Sequence, residues 1–181
     1  LDVAIKKLGK KEHPVAFDVS QAIPYGFIWS NVYYKTNADT GTPEKKLGVL
    51  NVLRHGGIIF ALNDETIAKY KLGERTKLKD PKTKEAITSN PYYDIPDGFM
   101  GRTGFTGLKG LQEKGAIFCV CDMALQSTAG YVARKMKLDK DEVYKDLVKG
   151  TLPGVISAPS GVWALGRLAE NKIAYIDASV A

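Results

Sequence analysis

The chain has 181 residues, 44% of them hydrophobic and 25% charged, with a formal net charge of +6 at pH 7. This length and balance suit one globular domain with a continuous core, and they argue against a disordered or fibrous protein. No apolar run approaches the ~20 residues of a membrane span, so the sequence predicts no transmembrane segment. Across residues 70–85 the lysines alternate with acids, without an arginine-rich helix or stacking aromatics. We therefore expect a solvated loop there and no nucleic-acid binding.

The chain begins at Leu1, and its first residues are rich in lysine. Leu1–Glu12 lacks the small-residue cleavage pattern of a signal peptide. It could be the start of a mature exported protein or of a shortened chain. We predict a flexible basic segment over residues 1–12, followed by a single domain over residues 13–181.

The first part of the domain predicts strand, helix, strand and helix in that order: Val15–Val19, Gln21–Asn37, Leu47–Leu53 and Asp64–Leu72. Pro24 suits a first helical turn, because its missing N–H has no partner there. Asn63 is a typical N-cap for the second helix, and Gly73 suits its C-terminal end.

An irregular stretch over about residues 74–107, with Pro81, Pro91 and Pro96 among many glycines, predicts a long inserted loop. A loop of this length is typical of a lid, a contact arm or an interface element. Helix, strand, helix, helix, strand, helix and strand follow: Gly107–Lys114, Ala116–Cys121, Asp122–Met136, Lys140–Lys149, Val155–Ala158, Gly161–Glu170 and Ile173–Ile176. The alternation predicts an α/β fold with βαβ units, a mainly parallel sheet and right-handed crossovers.

Cys119 and Cys121 are the only cysteines, so the chain has no disulfide framework. Their separation on a strand places the Cα atoms ~6.5 Å apart, at the outer edge of disulfide reach. We predict two free thiols on the same side of the strand. For Cys119 we favour a role in core packing.

Cys121 carries the strongest chemical signal, because it closes a strand and opens a helix. A thiol at a helix N-terminus is stabilised as the nucleophilic thiolate. Asp122 works against this effect, since a neighbouring carboxylate disfavours a second negative charge. A chemical role and an inert buried thiol therefore both remain open for Cys121.

Other candidate residues lie at or near the carboxyl ends of the predicted strands, where ligands gather in parallel sheets. His55 could act on Cys121 as a base or a hydrogen-bond donor, or it could be a loop histidine bonded to backbone carbonyls. The candidate substrate-binding residues are Gly56, Gly57, Asn63, Asp122 and Ser160. Ser160 also suits a helix cap. A C-x-C pair with one remote histidine matches zinc spacing poorly, so we predict no metal and no cofactor.

Three segments together resemble the DsrE-like family of sulfur-handling proteins. Gly115–Gln126 (GAIFCVCDMALQ) resembles its apolar strand that ends in Val-Cys before a helix. Leu152–Leu165 (LPGVISAPSGVWAL) with Glu170–Ile176 (ENKIAYI) resembles its closing strand-helix-strand unit. Val49–Leu62 (VLNVLRHGGIIFAL) resembles its second strand and turn with a histidine. These pieces occur in the expected order over about half of the chain.

The resemblance implies a five-stranded, mainly parallel sheet flanked by helices in flavodoxin-like layers, and a homo-oligomer or a subunit of a larger complex. It also implies a sulfur relay in which a strand-end cysteine carries a persulfide between donor and acceptor proteins. Here that cysteine would be Cys121, with His55 nearby. The long loop and Asp122 depart from the family pattern, which favours the alternative of a non-catalytic accessory or structural subunit of a larger assembly. Its contact surfaces would be the aromatic helix over residues 21–37 and the long loop. Similar long members imply a periplasmic location, with the cytoplasm as the alternative.

Overall fold

A five-stranded parallel sheet forms the centre of the computed structural model, which describes residues 1–80, 83–95, 98 and 101–179. The strands are β1 His13–Val19, β2 Leu47–Leu53, β3 Ile117–Cys121, β4 Val155–Ala158 and β5 Ala174–Asp177. Their order is β4-β3-β2-β1-β5, and every neighbouring pair is parallel. The prediction of an α/β fold with a five-stranded, mainly parallel sheet is confirmed.

Helices cover both faces of this sheet: α1 Asp2–Leu8, α2 Tyr25–Asp39, α3 Asp64–Lys69, α4 Leu72–Thr76, α5 Leu108–Glu113, α6 Asp122–Met136, α7 Lys140–Lys149 and α8 Gly161–Glu170. Short 3-10 helices occupy Glu44–Lys46 and His55–Ala61. Within the described residues, no helix combines the length and the apolar character that a bilayer crossing requires.

The strand order explains how the helices divide between the two faces. The chain steps from β1 through β4 in one direction and then returns to place β5 on the far side of β1. Because crossovers between parallel strands are right-handed, the return helix α8 lies on the face opposite α2 and α6. The larger core accordingly contains Phe27, Phe118 and Leu125, and the smaller core packs Leu168 of α8 against the other face.

The prediction of a flexible segment over residues 1–12 is wrong. Residues 2–8 form α1, in which Ile5 is 0% exposed and Leu8 is 4% exposed. Both side chains belong to the smaller core beneath α8. The i, i+3 spacing places them on one helical face, and the lysines lie on the solvent side.

The predicted helix Asp64–Leu72 is two helices in the structure. Asn63 caps α3 as expected, because its side chain accepts a hydrogen bond from the Thr66 amide at 2.9 Å. The chain then turns at Lys71, which has a left-handed φ of 48°, and continues as α4. Gly73 lies inside α4, where a Cβ would collide with the carbonyl of Ile87. The glycine permits a close packing contact, and it does not end a helix.

The segment between α4 and α5 is irregular, as predicted, but it is anchored in the larger core. Its described part buries Leu78, Ile87, Tyr92 and Phe105. Asn90 donates hydrogen bonds to backbone carbonyls at the end of the preceding 3-10 helix, at 3.0 and 2.9 Å. Pro81 and Pro96 of the predicted loop lie outside the described residues. This segment therefore covers the core rather than projecting as a free arm.

Candidate functional site

A pocket of 540 Å³ opens at the carboxyl edge of the sheet, between the ends of β3 and β4. The helix after β3 packs on one face of the sheet and the helix after β4 packs on the other. Such a divergence is a topological switch point, the usual ligand site of open parallel sheets. The lining residues are Arg54, His55, Gly56, Arg75, Cys121, Met123, Ala124, Ser127, Thr128, Ser160, Gly161 and Val162.

The two cysteines lie in different surroundings, and both are free thiols. Cys119 is 0% exposed and packs in the smaller core, where burial raises the pKa of its thiol to about 12. Cys121 is 5% exposed, contacts the larger core and lines the pocket. The strand pairing nevertheless continues through both cysteines, which pair with Ile156 and Ala158 of β4. Of the two thiols, Cys121 alone lines the pocket.

A buried ion pair borders the same pocket through its arginine, Arg54. Arg54 follows β2 and donates two hydrogen bonds to the carboxylate of Asp18 on β1, at 2.7 and 2.8 Å. Asp18 is 1% exposed and also accepts a hydrogen bond from the Tyr175 hydroxyl at 3.0 Å. The hydrogen bond from Arg54 to Asp18 raises the pKa of the guanidinium. Parallel pairing of β1 and β2 brings the two side chains together.

His55 is held at the pocket by its backbone and by Arg54. Its φ of 45° is left-handed, which is unusual for a residue with a side chain. Arg54 Nη1 lies 3.0 Å from His55 Nδ1. An arginine N–H can only donate, so Nδ1 is the acceptor and the neutral ring carries its proton on Nε2. This tautomer makes His55 a hydrogen-bond donor through Nε2.

The start of α8 also lines the pocket. Ser160 caps this helix, because its hydroxyl accepts a hydrogen bond from the Trp163 amide at 3.0 Å. A Cβ on Gly161 would lie 2.7 Å from the Cβ of Arg54, so the glycine allows α8 to approach the ion pair. The N-termini of α6 and α8 both border the pocket, and each contributes a positive dipole end.

Three predicted binding residues do not line the pocket. Asp122 accepts hydrogen bonds from Tyr144 at 2.7 Å and from Gln126 at 2.6 Å, and so points toward α7. Asn63 caps α3. A Cβ on Gly57 would collide with the carbonyl of Val19, so that glycine accommodates the protein's own backbone. By contrast, Gly56 and Ser160 line the pocket with the predicted pair Cys121 and His55.

Arg54, Asp18 and Arg75 are site residues that the sequence interpretation did not identify. A signal did exist for the first two, because Asp18 lies within a buried strand and Arg54 directly follows the next one. No comparable signal marks Arg75, which lies at the start of the irregular stretch. Within the described residues, no cluster of three or more His, Cys, Asp and Glu side chains could hold a metal ion.

Comparisons with known proteins place the chain in no family. No protein-family model matches it, and no curated protein matches it. Among solved structures, it is similar to MTH1491, a protein of unknown function from Methanobacterium thermoautotrophicum. That similarity has 15% sequence identity and a TM-score of 0.43, and it covers 91% of this chain and 98% of the other.

Proposed function

We propose that the protein carries sulfur on Cys121, as a persulfide carrier with sulfurtransferase-type thiol chemistry. The observation that supports this proposal is the position of the Cys121 thiol in the pocket at the switch point, with His55 in the same lining. Among the residues that the structure describes, no carboxylate lines this pocket, and the Asp122 carboxylate is engaged by Tyr144 and Gln126. The environment is therefore suited to a negatively charged sulfur.

The proposed step is an exchange between two sulfur atoms. The Cys121 thiolate attacks the terminal sulfur of a donor persulfide, R–S–SH, and a new S–S bond forms. The S–S bond of the donor breaks, and the donor leaves as the thiolate R–S⁻. His55 donates a hydrogen bond from Nε2 to the anionic sulfur, and the dipole of α6 stabilises the same charge.

Mass spectrometry after incubation with a persulfide donor tests the proposal. We expect one added sulfur atom on the peptide that contains Cys121. The variant Cys121→Ser should lose this addition, and Cys119→Ala should retain it because Cys119 is buried. An unmodified Cys121 in the wild-type protein, or the same loading in Cys121→Ser, would contradict the proposal.

An exposed apolar surface favours a second candidate, a non-catalytic subunit that assembles with another copy of the chain. Trp29, Val32 and Tyr33 of α2 border a shallow groove with Ile176 of the edge strand β5. Trp29 is 36% exposed and Ile176 is 41% exposed, although both are large and apolar. Adjacent exposed apolar side chains are typical of interaction surfaces.

Sedimentation of a charged variant separates this candidate from the first. Ile176→Lys should shift the protein from an oligomer to a monomer. Val148→Lys is the matched control, because Val148 is 46% exposed and does not border the groove. A wild-type monomer, or unchanged assembly in Ile176→Lys, would reject the second candidate and leave the thiol chemistry unaffected.

A further inference from the structure

Arg75 places a positively charged guanidinium in the lining of the pocket. It lies on α4, which is bounded by left-handed residues at Lys71 and Lys77, with φ of 48° and 58°. Its guanidinium lies over the ring of Tyr131, 5.1 Å from the centroid. Arg75 lines both the thiol pocket and the adjoining groove beside Gln21. The side chain is therefore held at the mouth of the pocket by packing rather than by an ion pair.

The charge of Arg75 has no counterion within the part of the chain that the structure describes. The ion pairs there include Arg54 with Asp18, but Arg75 takes part in none. Partial burial lowers the pKa of its guanidinium, because desolvation disfavours the charged form. Since Arg54 is neutralised by Asp18, the uncompensated positive charge of the pocket lies on Arg75.

A desolvated cation without a partner is unfavourable, and an anionic ligand removes that penalty. The planar guanidinium donates two parallel hydrogen bonds to a carboxylate. A volume of 540 Å³ is within the usual range for small-molecule sites. The pocket therefore suits a small anionic molecule better than a segment of a donor protein.

We propose that the sulfur donor is a small persulfide that carries a carboxylate, and that Arg75 binds this carboxylate while Cys121 attacks the sulfur. This inference rests on the thiol chemistry proposed above, and it adds the substrate class and the residue that selects it. The carboxylate is unchanged by the transfer, so Arg75 is a specificity residue.

Alkylation of Cys121 by two reagents of nearly the same shape tests the inference. Iodoacetate carries a carboxylate and iodoacetamide is neutral, so the ratio of their rates reports the anion preference of the pocket. In Arg75→Gln this ratio should fall about tenfold, the order expected for one partly screened charge interaction. Arg134→Gln is the control, because Arg134 is an exposed residue of α6 outside the pocket and its loss changes the net charge equally.

Three outcomes are distinguishable when labelling is assigned by mass spectrometry and checked in Cys121→Ser. A fall in the ratio for Arg75→Gln alone supports the inference. Ready labelling by iodoacetamide with an unchanged ratio in Arg75→Gln overturns it and preserves the thiol chemistry. If neither reagent labels Cys121, the thiol chemistry fails, and the inference fails with it because it requires attack by Cys121. Calorimetry with 3-(methylthio)propionate tests the anion site by itself: the wild-type protein should bind this carboxylate and Arg75→Gln should not, and absence of binding to the wild type overturns the role of Arg75.

Discussion

Removal of the Asp18 carboxylate should destabilise the protein strongly. Asp18→Asn keeps the shape of the side chain but removes the carboxylate to which the Arg54 guanidinium donates two hydrogen bonds. Breaking a buried ion pair by removing one partner costs about 3–5 kcal/mol. Because the Arg54 side chain is 20% exposed, water can recover part of this loss, and we expect about 2–4 kcal/mol.

Guanidinium denaturation measures this effect directly. With an m-value of roughly 4 kcal/mol/M, the midpoint of Asp18→Asn should fall by about 0.5–1 M at unchanged m. Asp39→Asn is the matched control, because it breaks an exposed ion pair with Lys35 and should leave the midpoint nearly unchanged. The double variant Asp18→Asn with Arg54→Met should lose less stability than the two single variants together, since it contains no buried arginine without its carboxylate partner. Equal midpoints for Asp18→Asn and Asp39→Asn would refute this account.

Two further predictions concern the smaller core. Ile5→Ala should lower the free energy of unfolding by about 2–4 kcal/mol, because it leaves a cavity beneath α8. The control Val3→Ala on the same helix should leave the free energy of unfolding almost unchanged, since Val3 is 82% exposed. Similar losses of stability in Ile5→Ala and Val3→Ala would contradict the anchoring of α1 in the core. Burial raises the pKa of Cys119 from 9.0 to about 12, so this group contributes stability that is present below pH 9 and lost as the pH rises toward 12. The destabilisation caused by Cys119→Ala in chemical denaturation should therefore shrink by about 2 kcal/mol between pH 8 and about pH 10.5, and a constant difference would contradict the burial argument.

Several elements could be predicted from the sequence because local signals and tertiary packing agree. The boundaries of β2, α6 and α8 match the predicted ranges. A continuous apolar run defines β2, and Ser160 marks the start of α8 through its cap. We expected the carboxyl ends of the strands to meet at one edge of the sheet. Cys121, His55 and Ser160, which lie at these ends, do line one pocket.

Other features depend on contacts between distant parts of the chain. Gly73 has the local character of a helix end, and its packing against Ile87 can be recognised only in the folded structure. The pairing of Arg54 with Asp18 requires the register of β1 and β2. Arg75 reaches the pocket because α4 and its flanking segment fold back over the core. The sequence thus indicated the reactive candidates, while the charged groups around them depend on tertiary structure.

The left-handed backbone at His55 affects how substitutions there should be chosen. A residue with a Cβ in this conformation costs on the order of 1 kcal/mol, which glycine avoids. His55→Ala would therefore keep the strain while it loses both the imidazole and the hydrogen bond to Arg54 that helps to hold the turn. His55→Gly relaxes the strain, and His55→Asn tolerates the conformation while it keeps a polar side chain. An equal loss of sulfur loading in both replacements, relative to the wild type, assigns the effect to the ring and not to the turn that presents it.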